Sequence, residues 1–324
     1  KFAIVQAEDE IASIGIVTGA GWNGARAFTC TSGPGVSLMT EFIGLAYFAE
    51  IPIVLFNIQR GGPSTGMPTR TGQPDIISCA YASHGDTKHV LLFPSNPTEC
   101  FSMGAQAFDL AERLQTPVMV MSDLDIGMND WITDPFERDD AKAHDRGKVL
   151  SAAELEEAKT FYRYLDVDGD GIPQRSLPGV HPKGSFFTRG TSRDRYAKYT
   201  EEAGPYVDNM QRLLRKFETA KSLVPQPVIE HAAQPTNAGI VWYGSTGAPM
   251  AEALAALERH GIHLDRMRVR AFPFPDAVAD FILAHEHVFL VEQNRDAQLR
   301  MMLINECGIA PDRLIPVLHY DGNP

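Results

Sequence analysis

The sequence predicts an α/β protein with two parallel sheets, a larger unit first and a smaller one after it. Over residues 2–122, short apolar runs rich in β-branched and aromatic residues alternate with helical stretches, the pattern of strands joined by helical crossovers. From about Asn129 to Pro235 the alternation stops, and it then resumes to the end of the sequence. With 324 residues, 44% hydrophobic and 22% charged, the chain can fill two ordinary cores.

In the first unit the expected strands are FAIV (2–5), FTCT (28–31), PIVLFNI (52–58), HVLLF (89–93) and PVMVMS (117–122). Helices are expected from Glu8 to Ala25, from Gly35 to Ala49 and from Pro97 to Leu114, the last with Asn96 as N-cap and proline at the first helical position. The first domain is read as residues 1–222, with an insertion over about 129–222 that is charged and rich in turn residues. Within it the pattern predicts an acidic helix from Ser151 to Tyr164, a glycine-rich acidic turn, and a helix near Glu201 to Leu223. Residues 223–237 read as an extended linker, because three prolines fall within eleven residues. The second domain, 238–324, runs GIVWYGS, helix Pro249 to His260, RVRAF, helix Asp276 to His285, HVFLVEQ, helix Ala297 to Cys307, and LIPVLH.

Composition excludes several classes. No apolar run approaches the roughly 18 residues of a membrane helix, and KFAIVQAEDE has no signal-peptide character, which reads as a soluble cytoplasmic protein. Cys30, Cys79, Cys100 and Cys307 lie far apart and never as CxxC, so they read as reduced thiols that cannot build a zinc knuckle or a cluster run. The net charge of −12 comes without a basic patch, which argues against nucleic acid and against direct docking of an acidic carrier protein.

The stretch TSGPGVSLMTEFIGLAYFAEIPIVLFNIQRGGPSTGMPTRTGQPD, residues 31–75, carries the chemistry. Gly33-Pro34-Gly35 reads as a tight turn at a strand end, followed by a helix N-terminus with free N–H groups. The next strand ends at Arg60 and a loop of Gly, Pro, Ser and Thr. Open parallel sheets bind ligands at the carboxyl ends of their strands, where both loops fall. An arginine there forks onto a carboxylate as a bidentate pair.

This stretch, with the upstream QAEDEIASIG and the later DVDGDGIPQRSLPG, LVEQN and HYDGNP, resembles the alpha subunit of 2-oxoacid:ferredoxin oxidoreductases, most closely the 2-oxoglutarate type. The resemblance runs from residue 1 to residue 324. It implies an aminopyrimidine-binding domain for thiamine diphosphate, then a domain like the C-terminal one of transketolases. It implies the reversible reaction of 2-oxoglutarate, coenzyme A and oxidised ferredoxin to succinyl-CoA, CO2 and reduced ferredoxin. The implied partners are a beta subunit holding the diphosphate, its Mg2+ and a [4Fe-4S] cluster, and ferredoxin, in a dimer of heterodimers. Other readings are the same class acting on pyruvate, branched-chain acids or indolepyruvate, or a transketolase-like thiamine enzyme component.

Thiamine enzymes need a buried Glu on N1′ of the aminopyrimidine, favouring the imino tautomer whose N4′ removes the C2 proton. Glu10 fits, with Gly15 and Gly19 following at the family's spacing; Glu8 is the rival, and Asp9 reads as a helix-start acid. The resemblance places Ser32, Gly33, Pro34 and Gly35 near the cofactor, Arg60 on the substrate carboxylate, and Ser64, Thr65 and Thr69 along the pocket. A second carboxylate needs a second cation, for which Arg70 and His84 are the candidates. Family members carry a YPITPS-like segment upstream of QAEDE that also touches substrate. It is not in this sequence, so part of the pocket is expected from residues outside it.

Asp166, Asp168 and Asp170 open like a D-x-D-x-D-G calcium loop, but position twelve is Leu177, so a metal turn and a metal-free Asx turn both remain open. Lys183-Gly184-Ser185 and Arg189-Gly190-Thr191 read either as solvated loops or as faces for coenzyme A phosphates, and His84, His144 and His181 have no assigned role.

Overall fold

The computed structural model describes residues 2–137, 141, 143–188 and 190–323. The chain opens with α1 (Glu10–Trp22), β1 (Phe28–Thr31), α2 (Gly33–Ala49), β2 (Ile53–Gln59), α3 (Ile76–Ala80), β3 (Val90–Leu92), α4 (Pro97–Leu114), β4 (Pro117–Asp123) and α5 (Leu124–Met128). The four strands form a parallel array in the order β1-β2-β4-β3. Strands buried on both faces are continuous apolar runs, and β4 is buried at every residue. Leu55 and Met119 point into one core, Val54 and Val118 into the other.

FAIV is not a strand: Phe2, Ile4 and Val5 are exposed, and residues 2–7 pair with no strand among the described residues. Helix α1 starts at Glu10 rather than Glu8 because Asp9 is its N-cap, accepting from Ala12 N at 2.7 Å. Helix α4 has the predicted bounds, with Asn96 Oδ1 accepting from Glu99 N at 2.9 Å.

The insertion holds α6 (Ala152–Glu157) and α7 (Ala203–Ala220). A capping box of Ser151 and Glu154 starts α6. It stops well before Tyr164 because Arg163 and Tyr164 are drawn into the interior: Arg163 Nη2 donates to Glu50 O at 2.9 Å and Tyr164 Oη to Ala49 O at 3.3 Å. The C-terminal end of α2 is the anchor. The Glu50 carboxylate accepts from both Nη atoms of Arg212 and from Lys216 Nζ at 2.9 Å, all fully buried.

The rest comprises β5 (Val228–Glu230), β6 (Ala238–Tyr243), α8 (Gly247–Arg259), β7 (Asp265–Val269), β8 (Ala271–Phe272), α9 (Asp276–Ala284), β9 (His287–Glu292), α10 (Gln298–Cys307) and β10 (Leu314–Leu318). The second sheet runs β10-β9-β6-β7-β5, parallel except for β5. Thus the expected linker contributes an edge strand, β5 pairing antiparallel with β7. RVRAF, expected as one strand, is divided between sheets: β7 ends at Val269, and β8 joins β3 antiparallel, Leu91 opposite Phe272. Phe93 N donates to Arg270 O at 2.8 Å across the switch. One apolar core therefore spans both sheets, Ile76, Phe93 and Phe272 packing with Tyr243, Met267 and Leu290. No helix of the described residues is long and apolar enough to cross a membrane.

Candidate active site

The first turn of α2 is the centre of the site. Gly33, Pro34 and Gly35 are themselves helical, and neither glycine has a positive φ, so this is no separate tight turn. Ser32 precedes it in extended conformation and its hydroxyl does not cap the helix. What the glycines provide is close approach. A Cβ at Gly35 would stand 1.9 Å from Thr31 Oγ1 and 3.0 Å from Glu10 Cγ; at Gly33 it would stand 2.8 Å from both carboxylate oxygens of Asp75. One turn of helix is thus the wall between Glu10 and Asp75.

Glu10 is the first residue of α1, half-buried, whereas Glu8 is exposed and Asp9 is used in capping. Helix α1 is tied to β1 by Ser13 Oγ and Thr29 Oγ1, 2.7 Å apart, and Gly15 packs on the Phe42 ring of α2. This fixes the acid beside Gly35.

On the Gly33 side lies a cleft of about 610 Å3 lined by Pro34, Arg60, Ser64, Thr71 and Asp75, and across it by Gln293, Asn294, Arg295, Asp296 and Tyr320. Arg60 follows β2 directly and is half-buried. Its Nε is buried without a partner, and among the described residues Arg60 has no hydrogen bond or ion pair, only the field of Asp75. A buried unpartnered guanidinium edge facing a cleft suits an anionic ligand. Asp75 accepts from Asn57 Nδ2 at 3.1 Å. Burial pushes its carboxyl up, against the pull of Asn57 and Arg60.

The loop between Arg60 and Asp75 bonds to itself: Gly61 N donates to Arg70 O at 3.0 Å and Met67 N to Gly61 O at 2.8 Å. Thr65, Thr69 and Arg70 are exposed and not part of the cleft lining, whereas Ser64 and Thr71 are. His84 also lies elsewhere, 3.4 Å from Glu41 on the surface. The second arginine in the cleft is Arg295, held by Asp296 at 2.7 Å.

The loop's root is held by both sheets. Gln73 Nε2 donates to Asp123 Oδ2 at 3.1 Å, Gln73 N to Gln293 O at 2.8 Å, and Tyr243 Oη to Gln73 O at 3.1 Å. Ser245 Oγ completes the group on Asp123 Oδ2 at 2.6 Å. Burial pushes Asp123 up, opposed by Ser245 and Gln73. Sequence reasoning did not assign Asp75, Gln73, Arg295 or Asp296. The signals for them are the QPD that closes the loop and the LVEQN that precedes Arg295.

The acidic turn is closed by a lysine. Lys148 Nζ donates to Asp168 Oδ1 at 2.6 Å, Asp170 Oδ1 at 2.7 Å and Ile172 O at 2.8 Å, while Asp166 accepts from Gly169 N and Gly171 N. An ammonium thus stands among the oxygens that a cation would use. Lys183 Nζ donates to Glu156 O at 2.7 Å, and His181 Nε2 is 3.0 Å from Glu156. Gly190 and Thr191 are exposed, His144 is exposed, and Arg189 lies outside the described residues.

Residues 1–219 match the family model described as pyruvate flavodoxin/ferredoxin oxidoreductase, thiamine diphosphate-binding. The chain is 37% identical over 327 residues to the alpha subunit of 2-oxoacid:ferredoxin oxidoreductase 2 of Aeropyrum pernix, covering 99% of this chain and 49% of that one. It is 33% identical to the 2-oxoglutarate synthase subunit KorA of Methanothermobacter thermautotrophicus, covering 84% of this chain and 70% of that one. The 2-oxoglutarate:ferredoxin oxidoreductase of Magnetococcus marinus, solved with 2-oxoglutarate, coenzyme A and succinyl-CoA bound, superposes with a TM-score of 0.90 at 28% identity, over 99% of this chain and 55% of that one. The chain thus spans about half the length of several of the proteins it matches.

Proposed function

Since the chain belongs to the thiamine-diphosphate-binding family of pyruvate flavodoxin/ferredoxin oxidoreductases, we propose that it is the alpha-subunit component of a 2-oxoglutarate:ferredoxin oxidoreductase. In this reading it contributes cofactor activation and substrate recognition, while a beta subunit holds the diphosphate, Mg2+ and a [4Fe-4S] cluster that passes electrons to ferredoxin. The assembly is a dimer of heterodimers, working in the cytoplasm. The observation that carries the reading is the single helical turn at Gly33–Gly35, with Glu10 against one side and the Arg60 cleft on the other.

The residues present fit the aminopyrimidine end of the cofactor. The missing side chain at Gly35 lets the helix turn pack closely against Glu10, and free N–H groups of a helix start lie beside that carboxylate. Glu10 would hold N1′, and Ser32 to Gly35 would border the ring. The bound cofactor supplies a carbon nucleophile for the oxo group and a sink for the electrons released with CO2. Arg60 binds the carboxylate next to the oxo carbon, using the guanidinium edge that has no partner within the chain. Ser64 lines the same cleft, and Thr65 and Thr69 belong to its loop. Arg295, rather than Arg70 or His84, is the second cation for a dicarboxylate, and release from Asp296 frees it for the distal group. Coenzyme A then accepts the succinyl group.

The test is 2-oxoglutarate- and coenzyme-A-dependent reduction of ferredoxin by the chain assembled with its partner. Glu10→Gln should abolish turnover, and Arg60→Ala should raise KM for the oxoacid by about a hundredfold, the loss of one charge-assisted pair. Full activity of Glu10→Gln would refute the assignment of the acid. Equal use of pyruvate and 2-oxoglutarate, unchanged in Arg295→Ala, would refute the dicarboxylate reading.

A further inference from the structure

Asp75 is half-buried and, among the described residues, the less exposed of the two carboxyls lining the cleft, and no role follows for it from the reaction itself. It occupies the N-cap position of α3 without capping it, since its side chain accepts no bond from that helix. Its carboxylate lies instead against Gly33, on the cleft wall that Arg60 shares. Asn57 Nδ2 fixes Oδ2 at 3.1 Å and Gln59 Oε1 accepts from Asp75 N at 3.3 Å, so two residues of β2 hold it in place. Opposite charges therefore face one cleft from the two ends of a single loop, near enough to feel each other but not bonded.

We propose that Asp75 is a positioning residue that couples protonation to substrate binding: its carboxylate balances Arg60 in the free cleft, and it takes a proton from solvent when an oxoacid carboxylate docks on Arg60. This rests on the reading of Arg60 as the carboxylate site. A second anion brought to the same desolvated wall is disfavoured by like-charge repulsion unless one of the two is neutralised. Asp75 is the group able to yield, because burial already favours its neutral form.

The other groups facing it leave that role to Asp75. From α3, the buried Cys79 thiol is pushed far up by burial and by Asp75 itself. From β6, burial holds the Tyr243 phenol protonated, with Glu292, Asp123 and Asp75 adding to the effect. From β2 come Asn57 and Gln59, and from the start of α2 Gly33, Pro34 and Ser37, none of which titrates. Across the cleft, Arg295 and Asp296 are paired with each other in solvent.

The measurement uses the assembled enzyme and two readouts. Calorimetric binding of glutarate, a dicarboxylate with no oxo group to react, is run in two buffers of different ionisation enthalpy to count protons taken up. In parallel, kcat and KM for 2-oxoglutarate are followed against pH. Wild type should take up a substantial fraction of a proton per glutarate. Its KM should rise towards tenfold per pH unit above the Asp75 titration, with kcat following a separate profile. Asp75→Asn, which copies the protonated form, should take up no proton and show a flat KM at or below the wild-type acid value. A merely structural role predicts the opposite: Asp75→Asn would raise KM equally at every pH and leave proton uptake unchanged. The wild-type proton count stands whether or not the variant folds, and zero uptake overturns the proposal. If wild type takes up a proton with glutarate yet oxidises no 2-oxoacid, the linkage stands and the activity reading fails.

Discussion

Replacing Glu50 by glutamine keeps the side chain's size and removes its charge. In the protein its carboxylate accepts from Arg212 Nη1 at 3.0 Å, from Arg212 Nη2 and from Lys216 Nζ at 2.9 Å, with Arg193 Nη2 3.8 Å away, and these side chains are at most 5% exposed. Burial alone would raise the Glu50 pKa, but Arg212 and Lys216 overcome it and hold the carboxyl well below the usual range. Removing one partner of a buried ion pair destabilises by about 3–5 kcal/mol, because the other charge is left uncompensated. The lower end applies here. Burial already brings Lys216 down to about 8 with Glu50 present, so in Glu50→Gln it sheds its proton near neutrality and part of the strain with it. About 3 kcal/mol corresponds to a drop in melting temperature of roughly 4–5 °C for a chain of 324 residues. Calorimetry should show it, and proteolysis should cut first within residues 159–200, which this cluster ties to α2. Because the native pKa is depressed, the stabilisation is complete above the unfolded-state value. It is lost only as pH falls through the depressed one, so the gap between wild type and Glu50→Gln should persist through neutrality and close in strong acid. A melting temperature within about 2 °C of wild type at neutral pH would refute the argument that these cations depend on one carboxylate.

His89 predicts an acid limb of its own. Its Nε2 lies 2.9 Å from Ala82 O, the ring is fully buried, and burial lowers its pKa to about 4. The unfolded chain binds the proton first, so stability is whole above about pH 6.5 and falls by up to about 3 kcal/mol as pH drops to about 4. In urea unfolding, His89→Gln should lack this limb, and an unchanged slope would exclude His89 as its source. At the acidic turn, Lys148→Ala should lower stability by about 1 kcal/mol, since Asp168 is half-exposed and solvent screens the pair. EDTA or added calcium should leave the melting temperature of the unmodified protein unchanged, and a calcium-dependent rise would mean that a metal displaces the ammonium.

What was legible in the sequence follows the range over which each signal acts. Helix α4 was readable to its ends because Asn96, Pro97 and the apolar periodicity are all local. The buried runs at β2 and β4 were readable because a strand covered on both faces must be apolar throughout. FAIV has the same composition but no strand beside it among the described residues, and composition alone does not supply a partner. RVRAF could not show that it changes sheets at Arg270, because the switch depends on β3 lying alongside. The insertion read only as charged and rich in turn residues, which does not show that Arg163, Arg193, Arg212 and Lys216 are buried. They come from three separate segments, and only the folded chain brings them to Glu50. Glu10 and Arg60 were named as candidates from the motif resemblance, Arg60 also from its place at a strand end. Asp75 was missed because it stands fifteen residues after Arg60 in a loop with no periodicity, and its position follows from where that loop returns.

The loop's construction separates recognition from support. Its first residue, Arg60, leaves a central strand of the first sheet, and its root, Gln73, is bonded to Asp123 of that sheet and to Tyr243 and Gln293 of the second. Both ends are therefore fixed by buried hydrogen bonds, whose loss exposes unsatisfied polar groups and is strongly disfavoured. The middle, residues 64–70, is exposed and bonded chiefly to its own backbone. Changes there can alter what enters the cleft without moving Arg60 or Asp75. Changes at Gln73 or Asp123 would shift both charged groups together with the second sheet that supports them. The tip is thus free to vary, while the placing of the Arg60 and Asp75 charges is fixed at the root.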